Sequence, residues 1–147
     1  MRKKNLLLKI VGFLVVLMLF FGTFGATCVG EEPASTELQI LSIKGGIGKV
    51  TLEVKNVGDV VAEDIKLIIS VKGGLLGRID LYKECTGCDQ CGTTLDPSAT
   101  RTESTAEKGL IFGLGAVEIY VSANASNADE VTQTTNGFVI GFLVLIM

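Results

Sequence analysis

Cys85, Cys88 and Cys91 stand three residues apart, with Gly87 and Gly92 beside them. Thiols at that spacing on a turning chain can converge on a metal ion, close a disulfide, or exchange disulfides with another protein. A tetrahedral metal site needs four donors, and the chain has no histidine to complete one. Only Cys28 or a carboxylate such as Asp89 could serve as the fourth. No metal and no cofactor is therefore expected, and a disulfide-clipped loop over residues 84–92 is the favoured reading for an exported chain. Three cysteines leave one over, to bridge two chains or to meet Cys28.

Two further patterns resemble chemistry that their surroundings do not support. The cysteine spacing resembles the front of a bacterial ferredoxin cluster run, but Leu95 and Asp96 stand where that run places its fourth Cys and a Pro. The stretch Lys44-Gly45-Gly46-Ile47-Gly48-Lys49-Val50-Thr51 resembles the phosphate loop of partition ATPases and of the nitrogenase iron protein. A phosphate loop feeds a helix and carries Ser or Thr after its Lys to ligate magnesium. Val50 occupies that place, and the next residues alternate as a strand does, so a glycine hairpin is expected and nucleotide is not. Without histidine the chain also lacks the usual general base near neutral pH. Its acids mostly fall on solvent-facing strand positions, such as Glu53 and Glu118, so no enzyme is expected.

The elements that would position such groups lie beyond a leader. Arg2, Lys3, Lys4 and Lys9 precede an uncharged run over residues 10–30, in the charge-then-apolar order of an export signal. As a helix rising about 1.5 Å per residue, that run is long enough to cross a bilayer. The expectation is one hydrophobic helix over 1–30, either cleaved as a signal peptide or kept as a membrane anchor through residues 10–30. Lipidation at Cys28 is a third route, and the GAT before that Cys is a poor lipobox. A short tether over 31–36 then leads to a domain over 37–147, placed at the cell membrane with its domain outside, or secreted. Four of the 13 basic residues sit in the leader, leaving nine against 16 acids, about −7 for the exported part. A charge of that sign repels nucleic acid and anionic lipid, and here reads mainly as solubility.

Past the tether, apolar and polar side chains take turns. Val50, Leu52 and Val54 alternate with Lys49, Thr51, Glu53 and Lys55, and Asn56 to Gly58 supply a turn. Ile65, Leu67, Ile69 and Val71 then alternate with Lys66, Ile68, Ser70 and Lys72 up to Gly73 and Gly74. Strands are also expected over 38–44, 75–83, 99–108 and around Val117, Ile119 and Val121. Short strands punctuated by Gly, Asn and Asp predict an all-β, antiparallel, two-sheet sandwich.

The run from Lys49 to Val71, with its alternating strand, Asn56-Val57-Gly58 turn, small Ala62 and second alternating strand, resembles the CARDB-type immunoglobulin-like modules of prokaryotic surface proteins. Leu95-Asp96-Pro97-Ser98 resembles that family's Leu-x-Pro-Gly turn, with Ser98 in place of Gly. The resemblance implies a seven-strand sandwich used for adhesion, spacing or recognition, without a shared active site.

Asn124-Ala125-Ser126 is an N-glycosylation sequon, expected where the strand ending near Ser122 turns into solvent. Residues 138–147 (FVIGFLVLIM) are apolar on both alternating faces: Phe138, Ile140, Phe142, Val144 and Ile146 on one, Val139, Leu143, Leu145 and Met147 on the other. Ten residues are too few to span a bilayer as a helix. A final strand buried on one side is expected, with its second face open to another surface protein, a second copy or membrane. The sequence therefore points to a non-catalytic module for adhesion or protein contact at the cell surface. The alternative is an extracytoplasmic metal-binding or thiol-redox protein acting through Cys85, Cys88 and Cys91.

Overall fold

The computed structural model describes residues 35–86 and 92–147. The expected leader, residues 31–34 of the tether, Cys28, Cys88 and Cys91 lie outside them. Among the described residues no helix is long and apolar enough to cross a membrane.

Alternation becomes strand pairing throughout. The strands are β1 (Leu38–Gly45), β2 (Val50–Asn56), β3 (Ala62–Glu63), β4 (Lys66–Gly73), β5 (Ile79–Thr86), β6 (Thr94–Leu95), β7 (Thr100–Ser104), β8 (Gly113–Ala125), β9 (Ala128–Gly141) and β10 (Leu143–Ile146). Every pairing is antiparallel. A three-stranded sheet runs β1-β2-β7, a five-stranded sheet runs β10-β9-β8-β4-β5, and β3 pairs with β6 in a small third sheet. The described residues are thus all-β, with ten strands among them where the resemblance implies seven.

Val50, Leu52 and Val54 on β2 are fully buried, as are Ile69 and Val71 on β4 and Ile119 and Val121 on β8, and they fall in one apolar cluster shared by the two larger sheets. Each such side chain contributes about 1.5–3 kcal/mol by leaving water. Thr51, Glu53 and Lys55, between the inward residues of β2, stay half-buried.

Where the strands depart from expectation, local backbone chemistry accounts for it. The stretch 75–83 opens with a 3-10 turn, Leu75–Gly77, between Gly74 and Gly77 at positive φ, so β5 starts only at Ile79. The stretch 99–108 stops being a strand at Ser104, whose hydroxyl accepts from the Ala106 N–H and caps the 3-10 turn Thr105–Glu107. Residues 138–147 are not one strand. Gly141 at φ 62° allows a two-residue turn with Phe142, so 138–141 end β9 and 143–146 return as β10, with Leu143 opposite Ile140 and Leu145 opposite Phe138.

The two larger sheets are joined along both sides. On one side the β1–β2 hairpin meets β10: Val144 N–H donates to Gly46 O at 3.0 Å and Gly48 N–H to Phe142 O at 2.5 Å. A Cβ on Gly45 would overlap the Val144 carbonyl. Gly45→Ala should therefore push the hairpin off β10 and cost about 2 kcal/mol, read as a lowered urea midpoint. On the other side Lys83 of β5 reaches across to β7.

The turn between β6 and β7 is formed by Asp96 to Ala99. Ala99 N–H bonds Asp96 O at 3.0 Å with Pro97 and Ser98 between them, and Ser98 sits at φ 64°, where glycine would be at ease. Ser98 is exposed, so Ser98→Gly should raise stability by about 0.5–1 kcal/mol, measurable as an upward shift in Tm.

Candidate functional site

The first candidate, the cysteine run, begins on a strand and not in a loop. Cys85 belongs to β5, pairs in register with Leu67 of β4, and is 7 % exposed within the apolar cluster. Residues 84–86 of the loop expected over 84–92 therefore belong to β5, and residues 87–91 lie outside the described residues. Cys85 is disulfide-bonded, and every other cysteine of the chain lies outside the described residues. Among the described residues no three His, Cys, Asp or Glu side chains gather as a metal site.

The Lys44–Thr51 motif lies at the end of β1, in the β1–β2 link and at the start of β2. Gly48 takes φ 67° in the link and Val50 opens the next strand, so the chain passes from strand to strand as a glycine hairpin does. Asn124 is still within β8, half-buried beside Lys66 of β4, at a bulge between Ala123 and Ala125. The turn itself falls at Ser126 and Asn127, both tied down: Ser126 N–H and hydroxyl donate to Glu63 O, and Asn127 receives the Glu63 N–H.

Of the five buried polar side chains among the described residues, Asn56 and Lys83 make three side-chain hydrogen bonds each. Asn56 is fully buried at the end of β2, its amide donating to Val60 O at 2.8 Å and Leu95 O at 2.9 Å while its Oδ1 accepts from Gly58 N–H at 3.0 Å. Lys83 is 4 % exposed and donates to Glu103 Oε2 at 3.1 Å, Ser104 O at 2.7 Å and Glu107 Oε2 at 2.9 Å. Burial works against its charge most strongly. The hydrogen bonds to Glu107 and Glu103, with the charges behind them, outweigh it, and the Lys83 ammonium is held above the ordinary lysine range. Both residues had a signal: each occupies an inward position of an alternating run, Asn56 after Val50, Leu52 and Val54, and Lys83 after Ile79 and Leu81. All their polar atoms are engaged, which makes them structural ties.

The surface carries the remaining candidate. On the outer face of the five-stranded sheet, register places Leu114, Ile140 and Leu143 in one row and Ala116, Phe138 and Leu145 in the next. Leu114, Ile140, Leu143 and Leu145 are all 43–53 % exposed. The other half of that face is polar, with Tyr82 donating to Glu84 at 2.8 Å and Lys66 paired to Glu84 at 2.7 Å, contacts that lower the Glu84 pKa. Next to the apolar rows lies a groove of about 490 Å³ lined by Leu75, Leu76, Arg78, Ile79, Phe112 and Leu114 among others. Such a surface can bind by contact.

No family model matches the chain, and no curated protein matches it. Two solved structures align over most of it. A β-glucosidase from Erythrobacter marinus aligns with 71 % of this chain and 16 % of its own, at 15 % identity and a TM-score of 0.39. A β-glucosidase from Listeria innocua in complex with glucose aligns with 72 % of this chain and 16 % of its own, at 12 % identity and a TM-score of 0.33. This chain thus corresponds to about a sixth of either enzyme, and superpositions this loose carry neither fold family nor activity across.

Proposed function

We propose that the protein is a non-catalytic, immunoglobulin-like β-sandwich module related to the CARDB type, held outside the cell by its leader or secreted, that works through protein contacts at the cell surface. The observation supporting this is the apolar outer face on which the fold leaves Leu114, Ile140, Leu143 and Leu145 exposed around a half-buried Phe138. Isolated surface leucines need no partner, but adjacent rows on neighbouring strands make a contiguous patch of the kind that marks an interface. The cysteines serve as a covalent clip of the domain in this reading.

The second reading, metal or thiol chemistry at Cys85, Cys88 and Cys91, is separated by counting free thiols and bound metal in the full chain purified without reductant. The contact module predicts substoichiometric zinc and iron and at least two cysteines unreactive to thiol reagents. Stoichiometric metal with all thiols recoverable would transfer the function to the cysteines.

A further inference from the structure

Four loops meet at one end of the domain, and each carries an exposed apolar side chain at its tip. Ile47 in the β1–β2 link is 78 % exposed, Leu76 before β5 84 %, Phe112 before β8 65 % and Phe142 in the β9–β10 turn 48 %. The loops touch one another. Phe112 and Phe142 rings lie 4.7 Å apart, Ile111 N–H donates to Gly48 O, Ile47 bridges to Leu143, and the groove beside Phe112 is walled by Leu75 and Leu76.

Leu76 stands at φ 63°, a conformation that disfavours a bulky side chain and that Gly or Asn would take more easily. It buries almost nothing in return, so packing inside this domain gives no reason for a leucine there.

The charge at this end has the opposite sign to the domain as a whole. Lys49, Arg78 and Lys108 flank these loops and enter no salt bridge among the described residues. Of the nearby acids, Glu107 binds Lys83, while Asp80, opposite Lys72 in register on the neighbouring strand, enters no salt bridge among the described residues. At the far end, where the chain enters through Ser35, the turns carry Glu37, Asp59, Glu63, Asp64 and Asp129. The net negative charge, which by itself would repel anionic lipid, is thus unevenly divided between the two ends of the domain, leaving an apolar tip with a basic rim.

We infer that this loop end docks on an anionic lipid surface, with Ile47, Leu76, Phe112 and Phe142 entering the acyl boundary and Lys49, Arg78 and Lys108 meeting phosphate groups. Apolar residues backed by Lys and Arg are what an anionic bilayer interface attracts. A second copy fits poorly, because tip-to-tip pairing would set the basic rims against each other. This goes beyond the contact function proposed above, which is tested by the thiol and metal count and by protein cross-linking and is not decided by lipid binding.

The chain contains no tryptophan, so Phe112→Trp is a unique reporter in the full chain. Mixed with phosphatidylglycerol–phosphatidylcholine vesicles carrying brominated acyl chains, its emission should shift to the blue and be quenched. Tyr82→Trp, on the polar half of the sheet, should show neither change. With phosphatidylcholine alone the half-saturating lipid concentration should rise about tenfold, and adding Leu76→Asn to the reporter should raise it about fivefold. Leu76→Asn suits the local backbone, so a folding defect is not expected to confuse the result. Three outcomes would overturn the inference: no quenching of Phe112→Trp, equal quenching of both reporters or with both lipids, or a blue shift that grows with protein concentration without vesicles.

Discussion

Asn56→Asp should destabilise the domain by about 4 kcal/mol at neutral pH. The amide that the substitution removes donates to two backbone carbonyls, Val60 O and Leu95 O, at 2.8 and 2.9 Å. An aspartate would aim carboxylate oxygen at both, in a position with no access to water. Its carboxyl pKa in the folded state must therefore rise above the unfolded value of about 3.9. A raised acid pKa makes the variant most stable below that unfolded value and progressively less stable as pH climbs through the folded one. Urea unfolding from pH 4 to 7 should show Asn56→Asp losing stability with rising pH. Asn56→Ala, which leaves the same carbonyls and the Gly58 N–H unpaired but adds no charge, should lose about 3 kcal/mol with no such slope. Equal pH profiles for the two variants would refute this account of Asn56.

Lys83→Ala ranks next, at about 3 kcal/mol, because it withdraws the cation from Glu103, Glu107 and Ser104 O and removes the tie between β5 and β7. Lys83→Met keeps the length of the stem and should recover roughly 1 kcal/mol of that loss through packing. The pH dependence has a definite sign. The folded pKa of Lys83 lies above its usual 10.5, so its contribution is complete below that pH and is lost as pH rises through the folded value. Denaturant midpoints between pH 8 and 11.5 should fall more steeply for the native chain than for Lys83→Met. Parallel curves would mean the ammonium contributes nothing across that side.

Much of the fold was legible because period-two alternation records which face of a strand is dry. β2 and β4 were readable for that reason, each facing the opposing sheet along its length. β9 was not. Over residues 128–136 it has no fully buried side chain, so its Thr- and Gln-rich sequence keeps no apolar rhythm although its backbone pairs with β8 throughout. The β9–β10 turn was hidden for the opposite reason: an unbroken apolar run masks a two-residue reversal that only Gly141 marks. Asn56 and Lys83 broke the alternation at inward positions. A polar residue in an inward slot signals a buried tie, but its partners come from distant strands that sequence does not place. The apolar loop end was equally invisible, because Ile47, Leu76, Phe112 and Phe142 are scattered through the chain and only the topology gathers them.

Site-specific photo-cross-linking in the native source tests the contact function most directly. A benzophenone side chain replaces Leu145 in the apolar rows or Tyr82 in the polar half of the same sheet, two positions of similar exposure at 43 % and 52 %. A contact surface at the apolar rows should give one discrete protein adduct from Leu145 and none from Tyr82. Adducts from Tyr82 alone, or the same pattern from both positions, would contradict it.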